Sequence, residues 1–232
     1  MYKKDKIGAV IVAAGSGLRF GEKKQFKKLD SKPLYLYSLQ CFVDCNLIDE
    51  IVLVVPKDLK KTITFELKNL SSIPKIKIVA GRKLRQDSVL AGIEGLSAGC
   101  KIICVHDAAR PFVSVDLINK TINACEHNDG AVVAIPSHDT VKEVNSRGNR
   151  IKRTIPREII WLAQTPQAFQ RKQLLDALLH ANKNKIQVTD ESTLMESLDY
   201  SIVVVEGATK NFKITTQDDW KLAELILEGY ND

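Results

Sequence analysis

The sequence predicts an α/β fold with a doubly wound, mostly parallel sheet, helices on both faces and a projecting β-hairpin arm. Three observations support this prediction. Short runs of Val and Ile alternate with segments of helical periodicity along most of the chain. The first run leads directly into a glycine loop, and a polar segment at 138–158 interrupts the alternation.

Five apolar runs are short and rich in Val and Ile, as buried parallel strands are. They are Ile7–Val12, Glu50–Val55, Ile76–Val79, Lys101–Val105 and Ala131–Ile135. Helical segments lie between them at Pro33–Leu47, Leu59–Leu70, Asp87–Leu96 and Val115–His127. Pro33 suits a first helical turn, and Ser114 suits a helix N-cap. Strands separated by helices indicate a Rossmann-like parallel sheet that is covered on both faces.

A polar β-hairpin is predicted at 138–158, with its turn at Asn145–Asn149. Apolar residues alternate with polar neighbours in this segment, at Val141, Val144, Ile151 and Ile155. A lone two-stranded ribbon is only marginally stable in water. We therefore expect the arm to pack against a second copy of the chain in a homodimer. Packing of the arm on its own domain is the alternative.

Strand and helix patterns resume after the arm. Strands are expected at Ile159–Ala163, Ser201–Val205 and Phe212–Ile214. Helices are expected at Lys172–Ala181, after the capping pattern Thr189–Ser192, and from the caps Thr216 and Asp219 to Leu227. The chain is then one domain, residues 1–232, that carries the arm.

Composition favours a globular protein that acts on an anionic small molecule. The 232 residues are 44% hydrophobic, and no apolar run approaches the roughly 20 residues that a membrane span needs. The start lacks a signal-peptide core, so we expect a cytoplasmic protein without a membrane partner. The net charge of +6 is mild and its basic residues are mixed with acidic ones. This pattern favours an anionic substrate over nucleic acid.

The cysteines and histidines predict neither disulfides nor a structural metal. The five cysteines are odd in number and contain no CxxC pair. The four histidines are scattered and form no ligand pair at helical spacing.

The glycine loop that follows the first strand predicts a site for a phosphate-rich ligand. Gly15 and Gly17 let backbone N–H groups approach an anion, and Arg19 and Lys24 add cations. Phe20 replaces the third glycine of a dinucleotide fingerprint, and no acidic residue ends the second strand. A Walker A pattern fails too, since no Lys-Ser/Thr pair stands at the required spacing. The loop and the segment after Val105 both fall at the carboxyl ends of strands, where such sheets bind ligands.

The glycine loop is the first of several motifs that occur in one order. Its pattern is G-x-G-x-R followed five residues later by Lys24. The others are Ala80-Gly81 with Arg85–Val89, His106–Phe112, Asp139–Lys142, Pro156-Arg157, Gln164–Gln167, Thr189–Glu191 and Asn211–Thr215. The set resembles the 2-C-methyl-D-erythritol 4-phosphate cytidylyltransferase family over nearly the whole chain. The resemblance implies attack by a sugar-alcohol phosphate on the α-phosphorus of CTP, with release of pyrophosphate, in isoprenoid precursor synthesis.

The resemblance also implies the roles of individual residues. The catalytic cations are Arg19, Lys24 and Lys213, the last on a late strand, and Asp107 is the carboxylate near Mg²⁺. The nucleotide-binding residues are Ala13, Ala14, Gly15, Gly17, Gly81, Ser88 and Ala108. The residues for the sugar-alcohol phosphate are Arg110, Thr140, Arg157, Thr165, Thr189 and Asp190. Two of these lie on the arm, which in the family reaches into the active site of the neighbouring subunit.

Several alternatives stay open at this point. Ribitol-5-phosphate cytidylyltransferases share the fold and chemistry, although Ala109, Trp161 and Thr189–Glu191 favour the methylerythritol enzyme. A non-catalytic dinucleotide-binding module is opposed by Phe20, and a nucleic-acid binder is suggested only by the basic composition. Ser88 is equally consistent with a plain helix cap.

Two positions depart from the family pattern. The family often has proline at the position of Lys23, and a second glycine is usual at the position of Arg82. Lys23 could loosen the glycine loop or add positive charge to it, and Arg82 could alter the contacts near the base.

Overall fold

A computed structural model describes residues 5–15, 17, 19–68 and 76–229 of the chain. Its strands are β1 (Lys6–Val12), β2 (Lys28–Leu29), β3 (Lys32–Pro33), β4 (Glu50–Val55), β5 (Lys77–Ala80), β6 (Cys100–Asp107), β7 (Gly130–Pro136), β8 (Val141–Val144), β9 (Ile151–Ile155), β10 (Trp161–Gln170) and β11 (Ile202–Glu206). Its α-helices are α1 (Leu34–Val43), α2 (Lys60–Lys68), α3 (Arg85–Gly95), α4 (Val115–Cys125), α5 (Arg171–Asn184), α6 (Glu191–Glu196) and α7 (Gln217–Glu228). Short 3₁₀ turns occupy Lys24–Phe26, Arg157–Ile159 and Thr209–Asn211.

The central sheet has seven strands in the order β11-β7-β10-β6-β1-β4-β5. β1 pairs in parallel with β4 on one side and with β6 on the other. β10 lies antiparallel between β6 and β7. The chain moves outward from β1 to β5 and then returns to the other side of β1, so the strand order reverses there. This topology confirms the predicted doubly wound, mostly parallel sheet.

The sheet is covered on both faces, and β1 contributes to both layers. Ala9 and Ile11 belong to the apolar cluster with α1, α2 and α4, whereas Val10 and Val12 belong to the cluster with α3, α5 and α6. Each fully buried side chain of this size contributes roughly 1.5–3 kcal/mol. A Cβ added at Gly92 of α3 would collide with Val10, so glycine allows this helix to approach the sheet closely.

A third apolar cluster lies under the glycine loop. Phe20 is buried there with Leu29, Leu34, Ile214 and Trp220. The ring centroids of Phe20 and Trp220 are 5.5 Å apart, and Gln217 Nε2 donates a hydrogen bond to the Phe20 carbonyl at 3.0 Å. Phe20 does more than break a dinucleotide fingerprint, because it anchors the loop to α7.

The predicted hairpin is confirmed as a separate two-stranded sheet. β8 and β9 pair only with each other among the described strands, with Val141 opposite Ile155. No helix in the described ranges is long and apolar enough to cross a membrane.

Three helix predictions need correction. Helix α1 begins after Pro33, which lies in β3 and occupies the N-cap position, and α1 ends at Val43 rather than at residue 47. The predicted helix from 59 to 70 is observed at Lys60–Lys68, and its last two residues lie outside the described ranges. The alternative role of Ser88 as a plain helix cap is excluded, since α3 begins at Arg85 and Leu84 holds its N-cap position.

Two strand predictions also need correction. Phe212–Ile214 is extended but belongs to no sheet, and its hydrogen bond runs from Ile214 N–H to the Ala109 carbonyl at 2.9 Å. The strand predicted at Ile159–Ala163 begins at Trp161 and continues to Gln170, because it pairs with both β6 and β7. By contrast, Ser114 caps α4 as predicted, and Thr216 and Asp219 form the capping box of α7.

Candidate active site

A cavity of about 490 Å³ lies at the carboxyl ends of β1 and β6. Val12 and Asp107, the last residues of these strands, are directly paired and both line it. Eight of the predicted site residues meet in this cavity: Ala14, Gly15, Gly17, Arg19, Lys24, Ser88, Asp107 and Lys213. The structure therefore places the glycine loop and the end of β6 at the point where strand order reverses, where open α/β sheets bind ligands.

The glycine loop needs glycine at position 17. Gly17 has φ +70°, and an added Cβ would collide with the Glu22 carbonyl. Its own carbonyl accepts hydrogen bonds from the N–H groups of Phe20 and Gly21 at 2.9 and 3.0 Å. Gln25 Nε2 lies 3.4 Å from the Gly15 carbonyl on the cavity side. Residues 16 and 18 of the loop lie outside the described ranges.

The described residues that line the cavity carry a large excess of positive charge. Asp107 is the one carboxylate among them. The cationic side chains are Arg19, Lys24, Arg82, Lys83, Arg85 and Lys213. Such a wall attracts polyanions, because a low-dielectric cleft of one charge sign concentrates counter-ions.

Lys24 is buried and has no carboxylate partner within ion-pairing distance in the described part of the chain. Its ammonium lies 5.7 Å from the centroid of the Phe20 ring. Burial, followed by repulsion from Lys213 and Arg19, lowers the pKa of Lys24. Arg19 is exposed and also lacks an ion-pair partner among the described residues. A phosphate group in the cavity would give both cations a counter-charge at ion-pairing distance.

Asp107 lies on the cavity floor between two cations. Arg85 Nε lies 3.1 Å from Oδ1, and Lys213 Nζ lies 2.6 Å from Oδ2. Burial alone would raise the pKa of Asp107, but Arg85 and Lys213 outweigh burial and hold that pKa well below its ordinary value. The carboxylate is therefore ionised throughout the neutral range.

The position of Lys213 follows from the fold of the segment before α7. The hydrogen bond from Ile214 N–H to the Ala109 carbonyl ties this segment to the loop that follows Asp107. Arg110 Nη1 adds a hydrogen bond of 2.8 Å to the Asn211 carbonyl. Lys213 is thus brought to Asp107 by loop contacts and not by a strand.

His106 and Thr165 hold the backbone of Asp107 from behind. The Asp107 N–H donates to Thr165 Oγ1 at 3.0 Å, and Thr165 Oγ1 lies 3.0 Å from His106 Nδ1. Thr165 therefore donates its own proton to Nδ1, and His106 Nε2–H faces the Arg110 carbonyl at 3.2 Å. Burial lowers the pKa of His106 to about 4, so the ring is neutral. Thr165 is buried and engaged in this network.

The family model of 2-C-methyl-D-erythritol 4-phosphate cytidylyltransferase matches residues 7–229. The chain belongs to this family. A curated relative of the same name from Clostridioides difficile (strain 630) is 39% identical over 220 residues, which cover 94% of this chain and 92% of the relative. The relative from Syntrophus aciditrophicus (strain SB) is 39% identical over 228 residues and covers 97% of both chains.

Solved structures of the cytidylyltransferase family share the fold. The 4-diphosphocytidyl-2C-methyl-D-erythritol synthase of Anaerococcus prevotii DSM 20548 superposes with a TM-score of 0.86 at 33% identity, over 97% of this chain and 100% of that chain. The 2-C-methyl-D-erythritol 4-phosphate cytidylyltransferase of Thermus thermophilus gives 0.76 at 29% identity, over 95% and 98%. The resemblance predicted from motif order is confirmed.

At both positions that depart from the cytidylyltransferase pattern, the side chain forms an ion pair. Lys23 Nζ lies 2.6 Å from Asp58 Oδ2, and Arg82 Nη2 lies 2.5 Å from Glu94 Oε2. All four side chains are substantially exposed, so each pair adds little stability. Lys23 tethers the glycine loop to the segment after β4, and Arg82 adds a cation to the cavity wall.

Small residues that the family resemblance assigns to the nucleotide form the wall behind the cavity. The N–H groups of Ala13, Gly81 and Ala108 donate to the carbonyls of Val54, Val55 and Val12 at 2.8–3.0 Å. An added Cβ at Gly81 would collide with Ala14. Ala13, Gly81 and Ala108 do not line the cavity themselves, and their engaged N–H groups tie the backbone behind it together. The Ser88 hydroxyl accepts from Arg82 N–H at 2.9 Å and lies 3.0 Å from the Leu84 carbonyl, so it holds the loop before α3.

Other predicted residues do not line this cavity. Arg110 is buried beside it, and its Nε has no hydrogen-bond partner in the described part of the chain. Asp190 caps α6, where its carboxylate accepts from Thr193 N–H, and it also accepts from Gln167 Nε2 at 3.0 Å. Thr189 is exposed. Thr140 and Arg157 lie on or beside the hairpin, and Arg157 Nη1 donates to the His138 carbonyl at 2.9 Å.

The structure adds residues to the site that the sequence did not single out. They are Gln25, Lys83, Leu84 and Arg85 on the wall and Glu191 behind it. Arg85 stands in one of the ordered motifs, so its charge beside a predicted loop was a usable signal. Glu191 also stands in a motif, Thr189–Glu191, but nothing local indicates its contact with Arg85, which lies 106 positions away in the sequence.

Proposed function

We propose that the protein transfers the cytidylyl group of CTP to 2-C-methyl-D-erythritol 4-phosphate, giving 4-diphosphocytidyl-2-C-methyl-D-erythritol and pyrophosphate, in isoprenoid precursor synthesis. The family supports the reaction. The observation in this chain that carries it is the cavity at the reversal of strand order, where Arg19 and Lys24 have no ion-pair partner among the described residues and Lys213 repels Lys24.

This reaction requires positioning of the substrates and neutralisation of charge more than it requires a general base. The attacking group is a phosphate oxygen, which is already anionic at neutral pH. The protein must bring two polyanions together and stabilise the charge that develops at the α-phosphate. We assign this role to Arg19 and Lys24 on the glycine loop and to Lys213 on the opposite wall. Asp107 orients Lys213 through the contact of 2.6 Å.

Asp107 is the residue that would hold Mg²⁺. No group of three or more His, Cys, Asp or Glu side chains in the described ranges could form a complete metal site. A single carboxylate still suits Mg²⁺, which takes one or two carboxylates together with substrate phosphates and water. An ionised carboxylate has about four acceptor positions, so the cations beside Asp107 leave room for a further ligand. When bound, the metal would offset phosphate charge.

The cavity wall suits a small base and its ribose. Ala14, Gly15 and Gly17 present backbone with little or no side chain on this wall, and Ser88 fixes the loop that contains Arg82. We assign the nucleotide to this side of the cavity. The acceptor phosphate is assigned to Arg110, Thr165, Thr189 and Asp190 with the two arm residues Thr140 and Arg157.

A homodimer formed through the arm, residues 138–158, completes this proposal. Large apolar side chains on the arm and just after it are exposed in the single chain, including Ile151 at 64% and Ile159 at 73%. Val144, Trp161 and Leu162 are exposed as well. Burial against a second copy would remove this area from water. Thr140 and Arg157 are exposed and do not line the cavity of their own chain, so we assign them to the partner's site.

Shared sites predict complementation between two inactive variants. Arg157→Ala should remove an arm contribution, and Lys24→Ala should remove a loop contribution. In a subunit-exchanged mixture, heterodimers contain one site that carries neither change, so activity should recover toward about one quarter of wild type for random exchange. The measurement is pyrophosphate release before and after exchange. Activity that stays at the level of the separate variants would contradict sharing.

The substrate assignment is tested by pyrophosphate release from CTP, UTP and ATP with each of two acceptors. We expect CTP with 2-C-methyl-D-erythritol 4-phosphate to give the highest kcat/KM. A preference for ribitol 5-phosphate would contradict the acceptor assignment and leave the chemistry intact. Tight NADH binding without pyrophosphate release would favour a dinucleotide-binding module instead.

The organisation of the chain as one nucleotidyltransferase domain belongs to the same proposal. A cytoplasmic location and the absence of nucleic-acid partners stay predictions from the sequence.

A further inference from the structure

A row of alternating charges runs from the cavity into the protein interior. Lys213 contacts Asp107, Asp107 contacts Arg85, and Arg85 contacts Glu191. Arg85 Nη1 lies 2.6 Å from both carboxylate oxygens of Glu191. The Glu191 side chain is 0% exposed, whereas Lys213 is 36% exposed. Glu191 is therefore the buried end of this row of charges, and Lys213 is the end that is open to the cavity.

Glu191 cannot act on a ligand directly, since it does not line the cavity and is fully buried. Burial of a carboxylate is costly unless a partner compensates it. Burial raises the pKa of Glu191, and the charge of Arg85 opposes that rise. Each of the other three charges in this row has a second partner or access to the cavity. Arg85 is the route by which Glu191 can influence the site.

The charges of the four residues sum to zero, and Glu191 decides how they are shared. When Glu191 is ionised, the positive charge of Arg85 is shared between two carboxylates. Asp107 is then only partly neutralised by Arg85, and its remaining negative charge can attract cations on the cavity side. Without it, Arg85 is left to neutralise Asp107, and the cavity floor gains one positive charge. The first arrangement favours a cation at Asp107, and the second favours a bare polyanion.

We infer that Glu191 is a positioning residue which reserves the Asp107 carboxylate for a divalent cation by neutralising Arg85. The inference rests on the proposed metal site at Asp107. It has an unusual consequence, because loss of Glu191 should act on CTP in opposite directions with and without metal. A merely structural role would weaken CTP binding in both conditions.

The test is calorimetric titration of CTP into the full-length protein, in excess EDTA and in saturating MgCl₂, without acceptor. Wild type should bind CTP more tightly with Mg²⁺. Glu191→Gln keeps the shape of the side chain and removes its charge. We expect this variant to bind metal-free CTP at least as tightly as wild type. We also expect the factor by which Mg²⁺ tightens CTP binding to fall about tenfold. This is the size of effect that one unit charge has across the length of a guanidinium group when the effective dielectric constant is near 20.

Glu196→Gln is the matched control, since Glu196 is an exposed residue at the other end of the same helix. It should keep the wild-type enhancement. The double variant Arg85→Gln with Glu191→Gln removes the buried pair as a unit, which proteins tolerate better than removal of one member. It should keep the enhancement within about threefold of wild type, because no unbalanced guanidinium then competes for Asp107.

Each result has a distinct meaning. Equal weakening in EDTA and Mg²⁺, or no change in either, overturns the positioning role of Glu191. If Glu191→Gln does not fold, loss of the enhancement in the folded double variant overturns it. Wild type that binds CTP without any Mg²⁺ effect refutes the metal site at Asp107 and this inference with it. Failure of wild type to bind CTP refutes the proposed function itself.

Discussion

Replacement of Lys24 by alanine should lower kcat by about 10²–10³-fold, the range seen when one preorganised electrostatic contact to a transition state is removed. Lys24 is held in the cavity without a counter-ion in the described part of the chain, between Arg19 and Lys213, and burial and these cations lower its pKa. Asp219 and Asp107 attract this ammonium from beyond ion-pairing distance, and a phosphate in the cavity would give it a close counter-charge. Steady-state pyrophosphate release with saturating CTP and acceptor measures the effect.

The same reasoning predicts that the change leaves the fold intact. Lys24→Ala breaks no ion pair within the described residues and relieves repulsion among three cations, so thermal stability should not fall with activity. Lys23→Ala is the matched control, because the neighbouring lysine is exposed and pairs with Asp58 outside the cavity. It should retain near-normal turnover. A Lys24→Ala enzyme with kcat within threefold of wild type would contradict the proposed role.

Replacement of Asp107 by asparagine should reduce both activity and stability. The change removes the carboxylate that holds Lys213 and would hold Mg²⁺, so we expect a loss of at least about 10²-fold in kcat. It also leaves Lys213 and one side of Arg85 without their anion. Removal of one partner from a fully buried pair costs about 3–5 kcal/mol. Because Lys213 is partly exposed and Arg85 keeps Glu191, we expect a smaller decrease of about 2 kcal/mol in the free energy of unfolding.

Chemical denaturation and initial-rate assays on the same preparation check both effects. Asp58→Asn serves as the control, since Asp58 forms an equally short ion pair with Lys23 on the exposed surface. It should leave the denaturation midpoint and the turnover close to wild type. An Asp107→Asn protein that is as stable and active as the control would show that the cations on the cavity floor do not depend on this carboxylate.

The parts of the fold that the sequence predicted are those with local causes. Runs of Val and Ile predict strands that are buried on both faces, and the alternating layers around β1 confirm this. Ser114, Thr216 and Asp219 predict helix starts, because a cap acts within three residues of itself. The glycine loop was also predictable from the sequence, since φ +70° at Gly17 favours a residue without a side chain.

The errors arose where distant contacts decide the structure. Phe212–Ile214 has the composition of a strand, but its hydrogen bond goes to a loop more than a hundred residues earlier. Helix α3 begins at Arg85 after Leu84, whose side chain gives no polar capping signal, so the sequence leaves Ser88 open as a plain cap. The partnership of Glu191 with Arg85 likewise has no local pattern. The side chains that line the cavity were therefore more predictable from the sequence than those that hold them in place.

The contact between Phe20 and Trp220 has a consequence for synthesis of the protein. The glycine loop is synthesised long before α7, which supplies the aromatic ring and the glutamine that anchor it. Lys213 is made equally late. A nascent chain on the ribosome therefore holds the glycine loop without its anchor, and this wall of the cavity is complete only after α7 has emerged.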